Sequence, residues 1–215
     1  MNATDTGTGQ ARAGYRRSAG SARGEARRAE LLERVTDDLA VNGLVDFSLR
    51  RAARAAGTTH KVLLYYFDGA DDLLGQAVFR LRERRVGNAV AAAAAGSGSG
   101  SGSLTLGGRI RAVWPALVAE ESRVLEQAMG LAMYDAGRYA ELGQDAARQY
   151  LPSLLALCPP DWPEQRKAQV AEMILAALRG FVIDWRLSGD AARIEAGLDA
   201  LVRALDREEA APDPQ

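Results

Sequence analysis

The sequence predicts an all-α protein with an N-terminal group of short helices and a larger C-terminal helical domain. Three observations support this fold class. Apolar residues recur three and four positions apart over most of the 215 residues, which is the period of a helix. No segment shows the strict alternation of apolar and polar residues that is typical of a strand. Serine, threonine, asparagine and glycine stand where these helices would begin and end.

The first predicted helix begins at Glu25 and stops at Asn42-Gly43. Its apolar face contains Leu32, Val35 and Leu39. Residues 1–24 are mainly small, polar or arginine and have no periodicity, so we predict a disordered basic arm there. The arginines of this arm are Arg12, Arg16, Arg17 and Arg23.

Three more helices follow in close succession. A serine can cap the short segment 48–56, and two threonines can cap the next one, from His60 to Phe67. A fourth helix begins at Asp68, carries two aspartates in its first turn and continues into the alanine run at 91–95.

The C-terminal part is predicted to contain five helices. A low-complexity Gly/Ser segment at 96–103 forms a flexible loop between the fourth helix and these five. The five helices lie near 105–120, 122–135, 138–156, 164–187 and 190–206. Pro115 and Pro152 fall inside two of them and should kink or break them. The predicted domains are therefore 25–70 and 71–208, with a disordered tail at 209–215.

Composition excludes several classes of protein. The chain is 47% hydrophobic and 26% charged, which is typical of a soluble globular protein. Cys158 and His60 are the single cysteine and histidine, so a disulfide framework and a cysteine metal cluster are excluded. A single histidine also leaves few ways to build a histidine zinc site or a Ser-His-Asp triad. We predict no metal and no cofactor. The N-terminus has no apolar core segment of a secretory signal, and no apolar run reaches the roughly 18–20 residues of a membrane span, so we expect a cytoplasmic protein without a membrane partner.

Charge is unevenly distributed between the two parts. Residues 1–90 contain 15 basic and 11 acidic side chains, whereas residues 91–215 contain 12 basic and 17 acidic ones. A basic N-terminal part favours a polyanionic partner such as nucleic acid, although a difference of this size also arises by chance. Arginine outnumbers lysine 25 to 2, which codon usage alone can produce.

The segment from Leu49 to Phe67 carries the strongest functional signal. Two short helices are joined by a tight turn through Gly57, a residue type that tolerates a positive φ. Small side chains at Ala52, Ala53 and Ala56 would allow the helices to approach closely. This is the layout of a helix-turn-helix, whose second helix enters the DNA major groove. An ordinary αα-corner is the alternative.

Residues 27 to about 80 resemble the DNA-binding domain of the TetR (tetracycline-repressor) family. The resemblance rests on Asn42-Gly43 followed by Phe47-Ser48-Leu49, on the alanines before Gly57, and on Leu63 to Phe67 followed by Leu73-Leu74. The C-terminal part resembles the family's ligand-binding domain most in its last two helices. The chain departs from the family at Leu64, where tyrosine is common, at Ala70, where lysine is common, and at Thr58-Thr59, where an aliphatic-serine pair is common.

The candidate DNA-binding residues lie on the two short helices and the turn between them. His60, Lys61 and Tyr65 are the candidates for the groove, and Leu63 and Phe67 should face the core. Threonine hydroxyls and arginines of the preceding helix would contact phosphates, while a merely solvated face is the alternative for the arginines. The resemblance implies a backbone contact for Tyr66. The full set is Ser48, Arg50, Arg51, Arg54, Thr58, Thr59, His60, Lys61, Tyr65 and Tyr66.

The last two helices carry apolar or small residues at helical spacing, which predicts that they pack against another helical surface. These residues are Met173, Ala177, Gly180, Ile194, Leu198, Leu201 and Leu205. Packing on the subunit's own core is one interpretation. The family resemblance favours the other, a homodimer interface, which would present two recognition helices to two half-sites of a palindromic operator.

Aromatic and sulfur-containing side chains between the two ends are candidates for an apolar ligand pocket, with plain core packing as the alternative. They are Trp114, Met129, Met133, Tyr134, Tyr139, Trp162, Phe181 and Trp185. Glu121, Arg123 or Arg138 would orient the ligand.

Together these observations predict a TetR-type transcriptional regulator and not an enzyme. Its predicted partners are double-stranded DNA, a second copy of the chain and a small apolar or aromatic effector that releases a repressor from its operator. An all-α interaction module or an all-α enzyme is the alternative. Against an enzyme, acidic pairs such as Asp71-Asp72 and Glu120-Glu121 are adjacent in sequence and point away from each other on a helix.

Overall fold

A computed structural model of the chain describes residues 21–96 and 104–212, and within these ranges all regular elements are helices. The predicted all-α fold class is therefore confirmed. The α-helices are α1 (Ala22–Asn42), α2 (Leu49–Ala55), α3 (His60–Tyr66), α4 (Ala70–Gly96), α5 (Leu106–Val118), α6 (Arg123–Tyr134), α7 (Ala136–Leu157), α8 (Glu164–Ser188) and α9 (Ala191–Ala210), with a 3₁₀ turn at Glu120–Ser122. Most of the predicted N-terminal arm, most of the Gly/Ser loop and the end of the predicted tail lie outside the described residues.

Two compact units divide the chain between Arg80 and Leu81. The sequence placed the boundary after residue 70, in the first turn of the fourth helix. The division comes later because the first turns of α4 bury Leu73, Leu74 and Ala77, which belong to the first unit.

Helix α1 is defined by the two ends that its sequence provides. The Ser21 side chain accepts a hydrogen bond from the Gly24 N–H at 3.1 Å, so the helix begins at Ala22, a few residues before the predicted start. At the other end Gly43 has a φ of 67° and its N–H donates to the Leu39 carbonyl, as the Asn42-Gly43 signal predicts. The predicted apolar face of Leu32, Val35 and Leu39 is buried.

Helices α2 and α3 form the predicted helix-turn-helix in the first unit. Ala52 and Ala56 are fully buried, so α2 has only methyl groups where it packs most closely. Gly57 has a φ of 62°, which confirms that the turn needs a left-handed residue. The Ser48 side chain accepts from the Arg51 N–H and the Thr59 side chain from the Val62 N–H, so both caps form.

The second unit packs α5 against α9, and places α6, α7 and α8 as successive neighbours. Its core is built mainly from α5, α8 and α9 and contains Leu106, Ile110, Trp114, Ile174, Leu178, Ile194, Leu198 and Leu205. Helices α5 and α9 approach so closely at Gly107 that a Cβ atom there would lie 2.6 Å from the Val202 carbonyl oxygen. Within the described residues, no helix combines the length and the apolar character that crossing a membrane requires.

Both helices continue past their prolines, so the predicted break occurs at neither position. Pro115 lies in the last turn of α5, and Pro152 lies within α7. Each proline removes one backbone hydrogen bond, and its ring crowds the carbonyl four residues earlier, but its fixed φ is compatible with a helix. The non-helical residue of α7 is instead Tyr139, with φ −117° and ψ 18°.

The apolar stripe of α9 faces the core of its own unit. Ile194, Leu198 and Leu205 are at most 2% exposed, and Leu201 packs against the same cluster. The prediction of a dimer interface on this stripe is therefore wrong, since α5 and α8 already cover it. The same spacing serves either purpose, and the sequence does not distinguish them.

The close approach at Gly107 makes a testable prediction about stability. Gly107→Ala should lower the free energy of unfolding by about 1–3 kcal/mol, because the new methyl overlaps the α9 backbone and the Asp206 carboxylate. Gly87→Ala is the matched control in α4, where a Cβ atom meets nothing within 4 Å. It should raise stability by about 0.5–1 kcal/mol through helix propensity. Urea unfolding of both variants measures the two changes, and equal effects would contradict the close approach.

Candidate nucleic-acid interface and internal cavity

Helix α3 exposes one face and buries the other. Leu63 and Phe67 are at most 2% exposed and anchor the helix in the core of the first unit, as predicted. His60, Lys61 and Leu64 are exposed, with Leu64 half-exposed at 50%, and Tyr65 is partly exposed beside them. The outward face therefore combines a cation, an imidazole, an aliphatic group and a phenol. Sequence reasoning left the orientation of Leu64 open, because the run Val62 to Leu64 is continuously apolar.

The C-terminal end of α3 is held by Arg28 of α1. The Arg28 guanidinium donates to the Tyr66 carbonyl at 3.3 Å, donates to the Gln76 side chain and lies 4.9 Å from the centre of the Phe67 ring. The Tyr65 and Tyr66 rings meet edge to face with their centroids 4.6 Å apart. The two tyrosines are therefore positioned by packing and not only by the helix.

The beginning of the turn is held by a second α1 arginine. Arg34 donates to the Ala56 carbonyl at 3.1 Å and pairs with Glu30 at 2.7 Å. A Cβ atom at Gly57 would lie 3.3 Å from the same guanidinium. Two arginines of α1 thus bind the carbonyl at the beginning of the α2–α3 turn, that of Ala56, and the carbonyl at the end of α3, that of Tyr66.

The predicted phosphate contacts divide into exposed and internal groups. Arg50 and Arg54 are exposed on α2, and Ser48 and Thr59 are exposed at the N-terminal caps of α2 and α3. Thr58 is partly exposed between the two helices. These five residues therefore present polar groups to solvent from α2 and from the turn that precedes α3.

Arg51 departs from its predicted role. Its side chain is 14% exposed, pairs with Asp38 at 2.8 Å, and donates to the carbonyls of Val45 at 2.7 Å and Gly43 at 2.8 Å. All three acceptors belong to the same unit, so Arg51 joins α2 to the end of α1. The spacing on α2 could not reveal this, because the acceptors lie on another element.

The second unit contains a cavity of about 130 Å³ among α4, α5, α6, α7 and α8. Its wall is mostly aliphatic, with Val113, Leu125, Leu154 and Leu178 among the lining residues. Its polar groups come from Arg82, Arg85, Glu126, Tyr150, Ser153 and Arg179. In the described parts of the chain, no group of three histidine, cysteine or acidic side chains could hold a metal ion.

Most residues predicted to line a pocket lie elsewhere. Met129 lines the cavity. Trp114 and Trp162 are buried in the core, and Phe181 and Trp185 pack against that core. Met133 and Tyr134 are largely exposed, and Tyr139 lies at the irregular turn of α7. The proposed orienting groups Glu121, Arg123 and Arg138 are exposed and are not part of the cavity wall. The predicted aromatic residues mostly pack in or against the core, whereas the cavity is lined mainly by smaller aliphatic side chains.

Glu126 is the acidic group of the cavity, and it is already paired. Arg85 donates to it at 3.2 Å, and Arg186 lies 3.7 Å away. Burial raises the pKa of the Glu126 carboxyl because water is excluded, although both arginines act in the opposite direction. The guanidinium of Arg85 also donates to the Leu117 carbonyl at 3.0 Å.

Helix α8 has an outward face that its own unit leaves uncovered. Met173 is 46% and Leu187 82% exposed, and Gly180 between them is exposed with nothing within 4 Å of a Cβ atom. Ala177, which was predicted together with Met173 and Gly180, is partly exposed. Exposed or half-exposed apolar and small residues recur along this face as Met173, Ala176, Gly180, Ile183 and Leu187, with spacings of three and four.

Comparison with known proteins identifies the fold. A protein from Mesorhizobium loti MAFF303099, described as a TetR-family transcriptional regulator, has a TM-score of 0.63 at 16% identity, over 86% of this chain and 97% of that chain. A transcriptional regulator from Streptomyces coelicolor A3(2) gives 0.62 at 22% identity, over 83% and 98%. The multidrug binding protein EbrR, complexed with imidazole, gives 0.60 at 21% identity, over 88% and 97%. No protein-family model and no curated protein matches the chain. The expected TetR-type architecture is thus confirmed as a fold.

The internal role of Arg51 makes a second prediction. Arg51→Ala should destabilise the first unit by about 1–3 kcal/mol, because it removes a charge-assisted donor from the partly buried acceptors of Asp38 and Gly43 and from the exposed Val45 carbonyl. Hydrogen exchange of the amides in residues 22–66 localises the loss to this unit. The neighbouring Arg50→Ala is the control. Its side chain is exposed, and it should change stability by less than about 0.5 kcal/mol. Equal protection in both variants would contradict the assignment.

Proposed function

We propose that this protein, which has the fold of TetR-family transcriptional regulators, is a homodimeric regulator that binds double-stranded DNA through α3. The observation that carries the proposal is the two-sided character of α3, with Leu63 and Phe67 buried and His60, Lys61, Leu64 and Tyr65 turned outward. A short helix anchored by apolar residues and exposing polar ones is what major-groove recognition requires.

Two of the outward groups of α3 are matched to particular base edges in the groove. Lys61 is a hydrogen-bond donor suited to guanine O6 and N7, and the Leu64 side chain suits a thymine methyl group. His60 and Tyr65 extend the polar surface of the same helix. Arg50, Arg54 and the hydroxyls of Ser48, Thr58 and Thr59 would contact phosphates and set the register on the duplex.

Lys61→Ala should weaken binding to DNA sites selected from a random library by roughly 1–3 kcal/mol, or about 5- to 150-fold. It should also relax the preference at one base pair, since a donor to a base edge is lost. The measurement is a gel-shift titration at fixed salt, because salt alone changes such affinities steeply.

Lys167→Ala is the matched control for charge. It removes the other lysine of the chain, which lies on α8 and pairs with Glu164 at 2.8 Å in the second unit. This variant should keep the affinity and the base preference of the original protein. If both lysine variants weaken binding equally, a non-specific charge effect explains the result and the base contact is disproved.

We further propose that two chains join through the outward face of α8, because this face is apolar, contains small residues and is left open by its own unit. A two-fold pair brings Met173, Gly180 and Leu187 against their symmetry copies and buries them. It also presents two α3 helices to the two halves of a palindromic operator.

Gly180→Arg tests the interface without a steric clash inside the subunit, since nothing in the single chain lies within 4 Å of a Cβ atom at this position. The variant places like charges face to face across the two-fold axis, and should weaken the dimer by at least about 100-fold. Sedimentation equilibrium measures the change. Gly130→Arg on α6 introduces the same side chain at another open, exposed position, and should remain dimeric. A dimeric Gly180→Arg would exclude this face.

The cavity in the second unit is the proposed effector site. A cavity of about 130 Å³ is close to the roughly 150 Å³ that accommodates benzene in an apolar protein interior, so one aromatic ring fits. EbrR, a protein of the same fold, is complexed with imidazole, a smaller aromatic ring. We propose that the protein is a cytoplasmic repressor and that ligand binding releases it from its operator by favouring a dimer with unsuitable helix spacing. A ligand that binds in calorimetry and leaves operator affinity unchanged would contradict this role.

A further inference from the structure

Among the side chains that the structure describes, the cavity wall carries more positive than negative charge. Three arginines, Arg82, Arg85 and Arg179, line it together with one carboxylate, Glu126. A cation in an apolar interior is unfavourable unless it has a counter-charge or strong hydrogen-bond acceptors. The partners of each arginine therefore determine which of them remains available to a ligand.

Two of the arginines are already occupied. Arg82 donates to the Leu142 carbonyl and lies 3.5 Å from the Gln149 side-chain oxygen. Arg85 pairs with Glu126 at 3.2 Å and donates to the Leu117 carbonyl at 3.0 Å. Both side chains thus hold helices of the cavity wall together.

Arg179 differs from the other two. Among the described residues it makes neither a hydrogen bond nor an ion pair, and its Nε atom is buried without an acceptor. Its guanidinium carbon lies 6.0 Å from the centre of the Tyr150 ring, and Arg85 approaches the same ring at 5.9 Å. Arg179 therefore brings a planar cationic donor to the cavity, next to an aromatic ring, with its hydrogen-bonding capacity unused.

We infer that the cavity binds a small aromatic carboxylate, with the carboxylate paired to Arg179 and the ring held by the aliphatic wall. This inference rests on the proposed effector role and specifies its chemistry. Guanidinium and carboxylate match in a planar, two-point hydrogen bond, which is stronger than a bond between neutral groups. The volume of about 130 Å³ accommodates one ring with a short substituent.

A cationic ligand fits the wall less well. The available anion would be Glu126, which already pairs with Arg85 at 3.2 Å and has Arg186 at 3.7 Å. A bound cation would compete with both arginines and lie close to Arg179. A neutral ring would fill the same space and leave the Arg179 donor unpaired.

The test compares three probes of equal size and different charge by isothermal titration calorimetry on the full-length protein at pH 7: benzoate, benzamide and benzylamine. Benzoate should bind at least about tenfold more tightly than the other two, because one charge-assisted contact accounts for that difference. Three results would overturn the inference: equal binding of all three probes, stronger binding of benzylamine, or no binding of benzoate. The highest benzoate concentration is about 10 mM, which is ample for a one-ring ligand.

Arg179→Met should remove the preference for benzoate while changing the benzamide affinity by less than about threefold, since methionine keeps the apolar contacts. Arg179→Lys keeps the charge without the planar fork, and should retain part of the preference. It also provides the readout if the methionine variant does not fold, which circular dichroism shows. Arg203→Met, at an exposed position of α9, is the control and should bind benzoate like the original protein. An unchanged preference in both Arg179 variants would overturn the inference.

A gel shift on selected DNA separates this inference from the proposed function. Saturating benzoate should release the DNA, and benzamide at the same concentration should not. If the protein binds no DNA, the proposed function fails while the calorimetric preference still supports the carboxylate site. If it binds DNA but shows no preference for benzoate, the carboxylate site alone fails.

Discussion

The ends of helices leave backbone carbonyls without partners inside the helix, and this protein satisfies them with arginine side chains from neighbouring elements. In the first unit the acceptors follow or end α1, α2 and α3, and in the second they lie at the ends of α5 and α9. The donors are Arg28, Arg34, Arg51, Arg85, Arg166 and Arg186. The positions of α3 and of the cavity wall both depend on these bonds, because they fix where one helix stops and the next begins.

Arginine is suited to this task in a way that lysine is not. Its rigid fork of five N–H donors can serve a carboxylate and two carbonyls at once, as Arg51 does with Asp38, Gly43 and Val45. Arg166 repeats the arrangement on Glu208 and Ala211 while lying 4.0 Å from the Trp162 ring centre. The excess of arginine over lysine, 25 to 2, thus has a structural use for several members. Among the described arginines that line the cavity, Arg179 differs because it has no such acceptors.

Local signals made the elements of the first unit predictable. Caps at Ser48 and Thr59 and a left-handed glycine at position 57 are all decided by neighbours within four residues. The errors came where a side chain's partner is distant in sequence. The Arg51 acceptors lie on the preceding helix end, and the α9 stripe meets α5 nearly a hundred positions away. Periodicity identifies an apolar face, but it does not say whether the chain itself or a second copy covers that face.

The burial of the α9 stripe also bears on how the proposed effector site and the proposed dimer interface are arranged. The α9 stripe is buried in the core of its own unit. The outward face of α8, with Gly180 at its centre, is an apolar surface that this unit leaves uncovered. The opposite side of α8 lines the cavity through Leu175, Leu178, Arg179 and Val182. Arg179 and Gly180 are adjacent in the chain and serve different sides of one helix. In the proposed complex, a ligand paired with Arg179 and a second subunit packed on Gly180 would contact consecutive residues of α8, so this helix would connect the two proposed sites.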